Sequence, residues 1–177
     1  MLYLAQSVLP NEITGIGTVE FDHKTNTYRV TEIFVPKQTA STALCQFRPT
    51  ALHEIISELA ENEVDEIEKL YFRWHSHGNY NVFFSSTDEA DIETWQGDRV
   101  INLVINARED RIARFDTFYR ESTKLPRLRD YPVNVFIDLP ENPELKDACQ
   151  RIAKEKVTIA RPKIPGKKGA KKDGGLF

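Results

Sequence analysis

Two histidines separated by one residue, His75 and His77, lie in the segment KLYFRWHSH, and an aspartate, Asp88, follows eleven positions after the second. Side chains two apart on a strand project to the same face, so both imidazoles can grip one small cation through ring nitrogens. A loop that folds back can add the Asp88 carboxylate. Three protein ligands of this kind leave the fourth tetrahedral position open to water, which is the arrangement of a catalytic rather than a structural zinc. Amide hydrolysis also needs a group that takes a proton and delivers it to the leaving nitrogen. Glu12 is the candidate, placed just before a Gly-containing segment, TGIG. Ser85, three residues before Asp88, is placed to offer a hydroxyl to the oxyanion that develops on a scissile carbonyl.

Each of these residues also has an ordinary reading. A His-x-His pair on a strand can be a packed surface pair, Ser85 or Ser86 can cap a helix, Asp88 can complement its dipole, and Glu12 can be a solvated carboxylate. Their combination at these spacings favours the metal site. His23 and His53, in a polar turn and on a helical pattern, are read as structural. Cys45 is read as an inert small apolar residue, since nothing near it in sequence would depress its pKa. Asn79, Tyr80 and Asn81 follow the histidines as an ordinary loop or as contacts to substrate backbone.

The elements that must position this set can be read from periodicity. Residues 14–21 and 28–35 pattern as strands joined by the turn DHKTNT, which makes a hairpin. The glycines of TGIG permit that hairpin to lie close against the strand carrying the histidines. In that strand Leu70, Phe72 and Trp74 alternate with Tyr71, Arg73, His75 and His77. Between these elements, KQTASTALCQFR has no clean period, and Leu52, Ile55, Ile56 and Leu59 fall at helical spacing behind Pro49. After the loop GNYNVFF, Ser86 with Glu89 three residues on reads as a capping box opening a helix that Gly97 can stop. A second hairpin is expected from 99–106 and 111–118, then an irregular stretch to Arg129, a strand at YPVNVFID and a helix from Pro143 to Lys156. The class is mixed α/β, with helices against a largely antiparallel sheet.

Length and charge bound the partners. The chain has 177 residues, 40% of them apolar, enough for one domain with a core. Residues 1–158 form that domain, and 159–177 read as a basic, Gly/Lys-rich flexible tail. Residues 161–177 carry +5 and the rest of the chain −8, for a net charge of −3. An acidic body with its basic residues gathered in the tail argues against nucleic acid as its partner. No apolar run is long enough for a membrane span, and the N-terminal residues lack a signal-peptide pattern, so a cytoplasmic location is expected. Cys45 and Cys149 are the only cysteines and suggest neither a disulfide framework nor a thiolate site.

Glu12, His75-Ser76-His77, seven residues, Ser85, two residues and Asp88 together resemble the signature of the JAMM (MPN+) metalloproteases. Segments EITGIGTVE, FRWHSHGNYNVFFSSTD and INLVINARED look most like the prokaryotic and phage JAB branch, over residues 10 to 118. The resemblance implies an MPN fold with a curved, largely antiparallel sheet flanked by helices, one Zn²⁺ on His75, His77 and Asp88, and Glu12 and Ser85 as catalytic groups. It also implies hydrolysis of peptide or isopeptide bonds at the C-terminus of ubiquitin-like proteins in conjugates or precursors. One departure is Gly78, where the family commonly has proline, a change expected to loosen the loop. Residues 37–48 correspond to a family loop that holds the partner's extended tail. Other expectations are a JAB peptidase for sulfur-carrier conjugates or cell-wall and phage peptides, and a non-catalytic MPN scaffold. Gly174-Gly175 followed by Leu176 resembles a modifier precursor, and the tail is a candidate occupant of the site's own groove.

Overall fold

A computed structural model describes residues 1–62, 67–95, 97–118, 131–136 and 142–160. The central layer is a six-stranded mixed sheet. Its strands are β1 (Thr14–Asp22), β2 (Thr27–Phe34), β5 (Phe72–Ser76), β6 (Arg99–Ile105), β7 (Arg111–Thr117) and β8 (Tyr131–Val133), in the spatial order β2-β1-β5-β6-β7-β8. All neighbours are antiparallel except β5 and β6, which run parallel. A parallel pair needs a crossover, and the segment between β5 and β6 supplies it with the helix α3 (Ser86–Glu93). A second, three-stranded sheet has the order β4-β3-β9, built from β3 (Gln38–Ala40), β4 (Cys45–Phe47) and β9 (Val157–Ile159). Among the described residues, other helices are α1 (Leu2–Ser7), α2 (Ala51–Asn62) and α4 (Pro143–Lys156). The fold is therefore mixed α/β, a mixed sheet with flanking helices.

Alternation along the strands divides the chemistry from the core. Phe72 and Trp74 of β5, with Ile101, Leu103 and Ile105 of β6, face one side, where Leu4, Ala5 and Val8 of α1 and Cys149 and Ala153 of α4 complete a continuous apolar cluster. The other face of β5 carries Arg73 and His75, and α3 covers part of it. The sheet is strongly curled. Tyr28 of β2 stacks on Phe115 of β7 with ring centroids 5.5 Å apart, although three strands separate them in the sheet. A bulge between Thr18 and Val19 of β1 adds to that curvature.

The two sheets are joined by one side chain. Gln38, fully buried in β3, accepts from the Thr14 backbone N–H at 2.9 Å and donates to the Thr14 and Pro36 carbonyls at 2.8 and 3.0 Å. An amide matches a peptide group donor for acceptor, so it can pair with the first residue of β1 as another strand would.

Several local expectations change. The stretch without a clean period forms the β3–β4 hairpin, whose strands of three residues are too short to show alternation. Helix α1 and strand β9 are likewise short elements formed by packing. The cap of α3 is Ser85, not Ser86, and the helix ends at Glu93 with Thr94 as its C-cap, short of Gly97. The expected strand from 131 is confined to Tyr131–Val133 among the described residues. Strand β9 crosses the 158/159 boundary, and the irregular stretch 119–130 and the tail beyond residue 160 lie outside the described residues. Among the described residues, no helix is long and apolar enough to cross a membrane.

Gly15 is where β1 meets β5 most closely. A Cβ there would lie 2.6 Å from the Phe34 carbonyl oxygen and closer still to the Trp74 indole nitrogen. Gly15→Ala is therefore expected to destabilise the protein by about 1–3 kcal/mol, the usual range for overpacking, read as a lower urea midpoint. An unchanged midpoint would show that the close approach is not constraining.

Candidate metal centre

Strand β5 ends at Ser76, and the residues on either side of it are the two histidines. Ser76 is fully buried on the face opposite to them. Its backbone N–H donates to the Ile13 carbonyl at 2.8 Å, and its hydroxyl accepts from the Ile13 N–H at 3.0 Å. The middle residue of the His-x-His segment thus clamps the residue that follows Glu12. A second hold comes from the Glu12 N–H, which donates to the Ser41 carbonyl at 2.8 Å, at the turn between β3 and β4. Gly78 sits where a side chain would not fit easily. Its φ of +53° is in the left-handed region, and a Cβ would lie 2.8 Å from the Pro10 carbonyl oxygen, so the position favours glycine and lets the chain before Glu12 pack against the histidine segment.

The imidazoles meet edge to edge, with Nε2 of His75 3.0 Å from Nε2 of His77. Nδ1 of His77 lies 2.9 Å from the Asn81 carbonyl oxygen. A carbonyl only accepts, so Nδ1 carries the proton of the neutral His77 ring and Nε2 presents a lone pair. The proton of the contact between the rings then belongs to Nε2 of His75, which must give it up for both nitrogens to become ligands. Phe83 presses edge-on against the His77 ring at 4.8 Å.

Asp88 is the third residue of α3, and the helix cap also orients its carboxylate. Ser85 accepts from the Asp88 N–H at 3.3 Å, while Oδ2 of Asp88 takes both the Ser85 N–H and the Ser85 hydroxyl at 2.6 Å. With Oδ2 engaged, Oδ1 is turned toward the histidines and lies 3.4 Å from Nε2 of His75. The helix is anchored to the sheet through two residues that follow Asp88. Arg114 of β7, buried, grips the Glu89 carboxylate with two nitrogens, one of them at 2.9 Å, and Arg73 reaches Asp91 at 3.6 Å. Arg114 is held in turn by Asp116 at 2.9 Å, which also accepts from Asn102 at 3.2 Å.

One donor atom from each of His75, His77 and Asp88 can be chosen such that all three lie within 4.8 Å of one another. Two neutral imidazoles and a carboxylate are a donor set suited to a borderline divalent ion, zinc among them. Glu12 is outside that group but feels it. Burial raises its carboxyl above the ordinary value of 4.5; proximity to His77 pulls it down, and the Asp88 carboxylate pushes it further up. The structure thus gathers His75, His77 and Asp88 into a group that could hold a metal ion, brings Glu12 close enough to be influenced by it, and places Ser85 beside Asp88 as the helix cap. Cys45 opens β4 as a free thiol. Burial, with Glu12, Asp88 and Asp91 nearby, pushes it up to about 12, so it stays protonated and unreactive. His23 and His53 are exposed and outside the cluster.

Residues that position the site were not singled out in the sequence. Ser76 was visible as the one polar side chain continuing the Phe72, Trp74 face of the strand. Arg114 and Asp116 were visible as charges at alternate positions of an otherwise strand-like run, RIARFDTF. No family model matches the chain, and no curated protein matches it.

Burial pulls His75 from its ordinary 6.5 down to about 4, with Asp88 opposing and His77 and Arg73 reinforcing the shift. Between these values the unfolded chain binds the proton and the folded one does not, so the His75 contribution to stability is present above pH 6.5 and is lost as pH falls toward 4. Glu12, with its raised carboxyl, acts in the opposite sense, so the comparison must isolate His75. In metal-free protein, the unfolding free energy of wild type minus that of His75→Asn should drop across this window in urea titrations. A flat difference would show that the imidazole titrates normally.

Proposed function

We propose that this chain is a zinc-dependent peptidase or isopeptidase with an MPN fold of the JAMM type, acting on ubiquitin-like proteins in conjugates or precursors. The observation that carries this reading is the convergence of His75, His77 and Asp88, with Nδ1 of His77 and Oδ2 of Asp88 each held by a second polar contact, beside a half-buried carboxyl at Glu12. Their order and spacing match the family signature. Zn²⁺ held by His75, His77 and Asp88 would supply Lewis acidity, lowering the pKa of a water and polarising the scissile carbonyl.

The chain's own groups do the rest. Glu12, whose raised pKa makes it a stronger base than a solvated carboxylate, takes a proton from the attacking water and passes it to the leaving nitrogen. Ser85 releases its hydroxyl from Oδ2 of Asp88 to steady the oxyanion, while its backbone N–H keeps the carboxylate oriented. No covalent intermediate is needed, and the protonated thiol of Cys45 is not a nucleophile. Strand β4 is an edge of the smaller sheet, and Cys45 at its start is coupled to Glu12, Asp88 and Asp91. An extended C-terminal tail adding to that edge would bring its last residues toward the ligands. The hairpin comprising β3 and β4 falls in the 37–48 region, where the family resemblance places a tail-holding loop.

Purified protein is expected to contain about one zinc per chain and to cleave fusions to ubiquitin-like proteins, with loss of activity on chelation. Glu12→Gln should retain the metal and lose about 10²–10⁴-fold in kcat. Wild-type kcat should fall with acidity as the Glu12 carboxylate becomes protonated, because the base must be unprotonated. Bound metal without cleavage of any fusion would favour a scaffold or another peptide substrate. A Glu12→Gln rate within tenfold of wild type would remove Glu12 from the mechanism.

Ser85→Ala separates the two roles of that hydroxyl. Loss of the cap should cost about 0.5–2 kcal/mol of stability. Loss of an oxyanion donor should cost about 10²–10³-fold in kcat with KM little changed. A stability loss with an unchanged kcat would leave Ser85 as a cap alone.

A further inference from the structure

Asn106 follows β6 and is fully buried, at 0% exposure, yet all of its amide hydrogen-bonding capacity is used. Its Oδ1 accepts from the Arg108 N–H at 2.9 Å and the Asp110 N–H at 3.0 Å, closing the turn after β6. Its Nδ2 donates to Oδ2 of Asp110 at 2.7 Å and to the Tyr80 carbonyl at 2.9 Å. The last of these bonds leaves the turn and reaches the loop that follows His77.

Two further bonds bind the same turn to the same loop. The Ala107 N–H donates to the Gly78 carbonyl at 2.8 Å, and the Arg108 guanidinium donates to Oδ1 of Asn81 at 3.2 Å. Residues 78, 80 and 81 are thus held by residues 107, 106 and 108. Between the last two loop contacts lies the Asn81 backbone carbonyl, the acceptor for Nδ1 of His77 at 2.9 Å. Asn106 is the buried member of this clamp.

We propose that Asn106 is a positioning residue for His77: by holding the Tyr80 carbonyl it places the Asn81 carbonyl, which keeps the His77 proton on Nδ1 and leaves Nε2 free as a metal donor. This rests on the metal-centre reading above for its consequence, but the tautomer itself does not require a metal. Without the bridge, the Asn81 carbonyl shifts, Nδ1 loses its acceptor, and the ring is free to carry its proton on Nε2, where it blocks ligation. Partners that orient a ligand histidine in this way typically contribute about 10- to 100-fold in metal affinity.

The test uses Asn106→Asp, alone and with Asp110→Asn. A carboxylate keeps both bonds accepted by Oδ1 but cannot donate, so it loses the Tyr80 bridge and opposes Asp110. In the double variant the new amide at 110 can donate to the carboxylate at 106, which restores turn closure but not the bridge. Two quantities are read: zinc affinity by chelator competition, and the His77 tautomer from imidazole ¹⁵N shifts of metal-free protein at pH 8. Wild type should show the Nδ1–H form of His77. Both variants should show Nε2–H and bind zinc about 10- to 100-fold more weakly, while the double variant regains thermal stability. Wild-type affinity and tautomer in the double variant would reduce Asn106 to a turn closer and overturn the proposal. An Nε2–H form of His77 in wild type would overturn it without any variant. Absence of zinc binding by wild type would count against the metal-centre reading, and the tautomer comparison would still decide the role of Asn106.

Discussion

The arrangement depends on how closely the segment from Pro10 to Gly15 lies against the end of β5. Main-chain and side-chain bonds from Ser76 to Ile13 hold it there, and glycines at 15 and 78 remove the atoms that would keep the chains apart. Glu12 is a member of this segment, so its distance from the histidines is set by backbone packing. A carboxylate on a free loop would have to lose conformational entropy to be held at such a position. Here that ordering is complete in the fold.

The same economy governs the cluster of His75, His77 and Asp88. Two of the three have one polar contact that holds them and one donor atom turned to a common point: His77 is held at Nδ1 by the Asn81 carbonyl and Asp88 at Oδ2 by Ser85. His75 meets the other two through Nε2 itself. Helix α3 would be a poor platform by itself, since it is eight residues long and buries only Ile92. The Arg114 to Glu89 pair and the Arg73 to Asp91 pair tie the helix to the sheet just after Asp88. Burial of Arg114 makes this more than a surface ion pair, because its charge is matched by the carboxylates of both Glu89 and Asp116.

Curvature explains why residues from distant strands cooperate. The sheet curls until Tyr28 of β2 stacks on Phe115 of β7, and the short second sheet is joined to β1 through Gln38. The turn between β3 and β4 is thereby carried to Glu12, with the Ser41 carbonyl accepting its N–H. That hairpin is irregular in sequence and ordered in the fold because its own short pairing is supplemented by bonds to β9, Thr14 and Glu12.

Much of the site was legible in the residues alone. Period-two alternation placed His75 and His77 on one face, and Ser86 three before Glu89 marked a helix start, although its neighbour Ser85 is the cap. These signals are local, set by strand pleat and by the unpaired N–H groups of a helix end. The sequence by itself determined the residue types available for ligation, the two main hairpins, the final helix from Pro143 and the acidic body. Tertiary structure alone decided that Glu12 lies near a cluster more than sixty residues away, that the chain at Pro10 packs against Gly78, and that Ser85 holds Asp88 through a cap. It also decided that Asn106 supports His77. These depend on which backbone groups from remote segments are left without partners and must pair, and no local pattern records that choice.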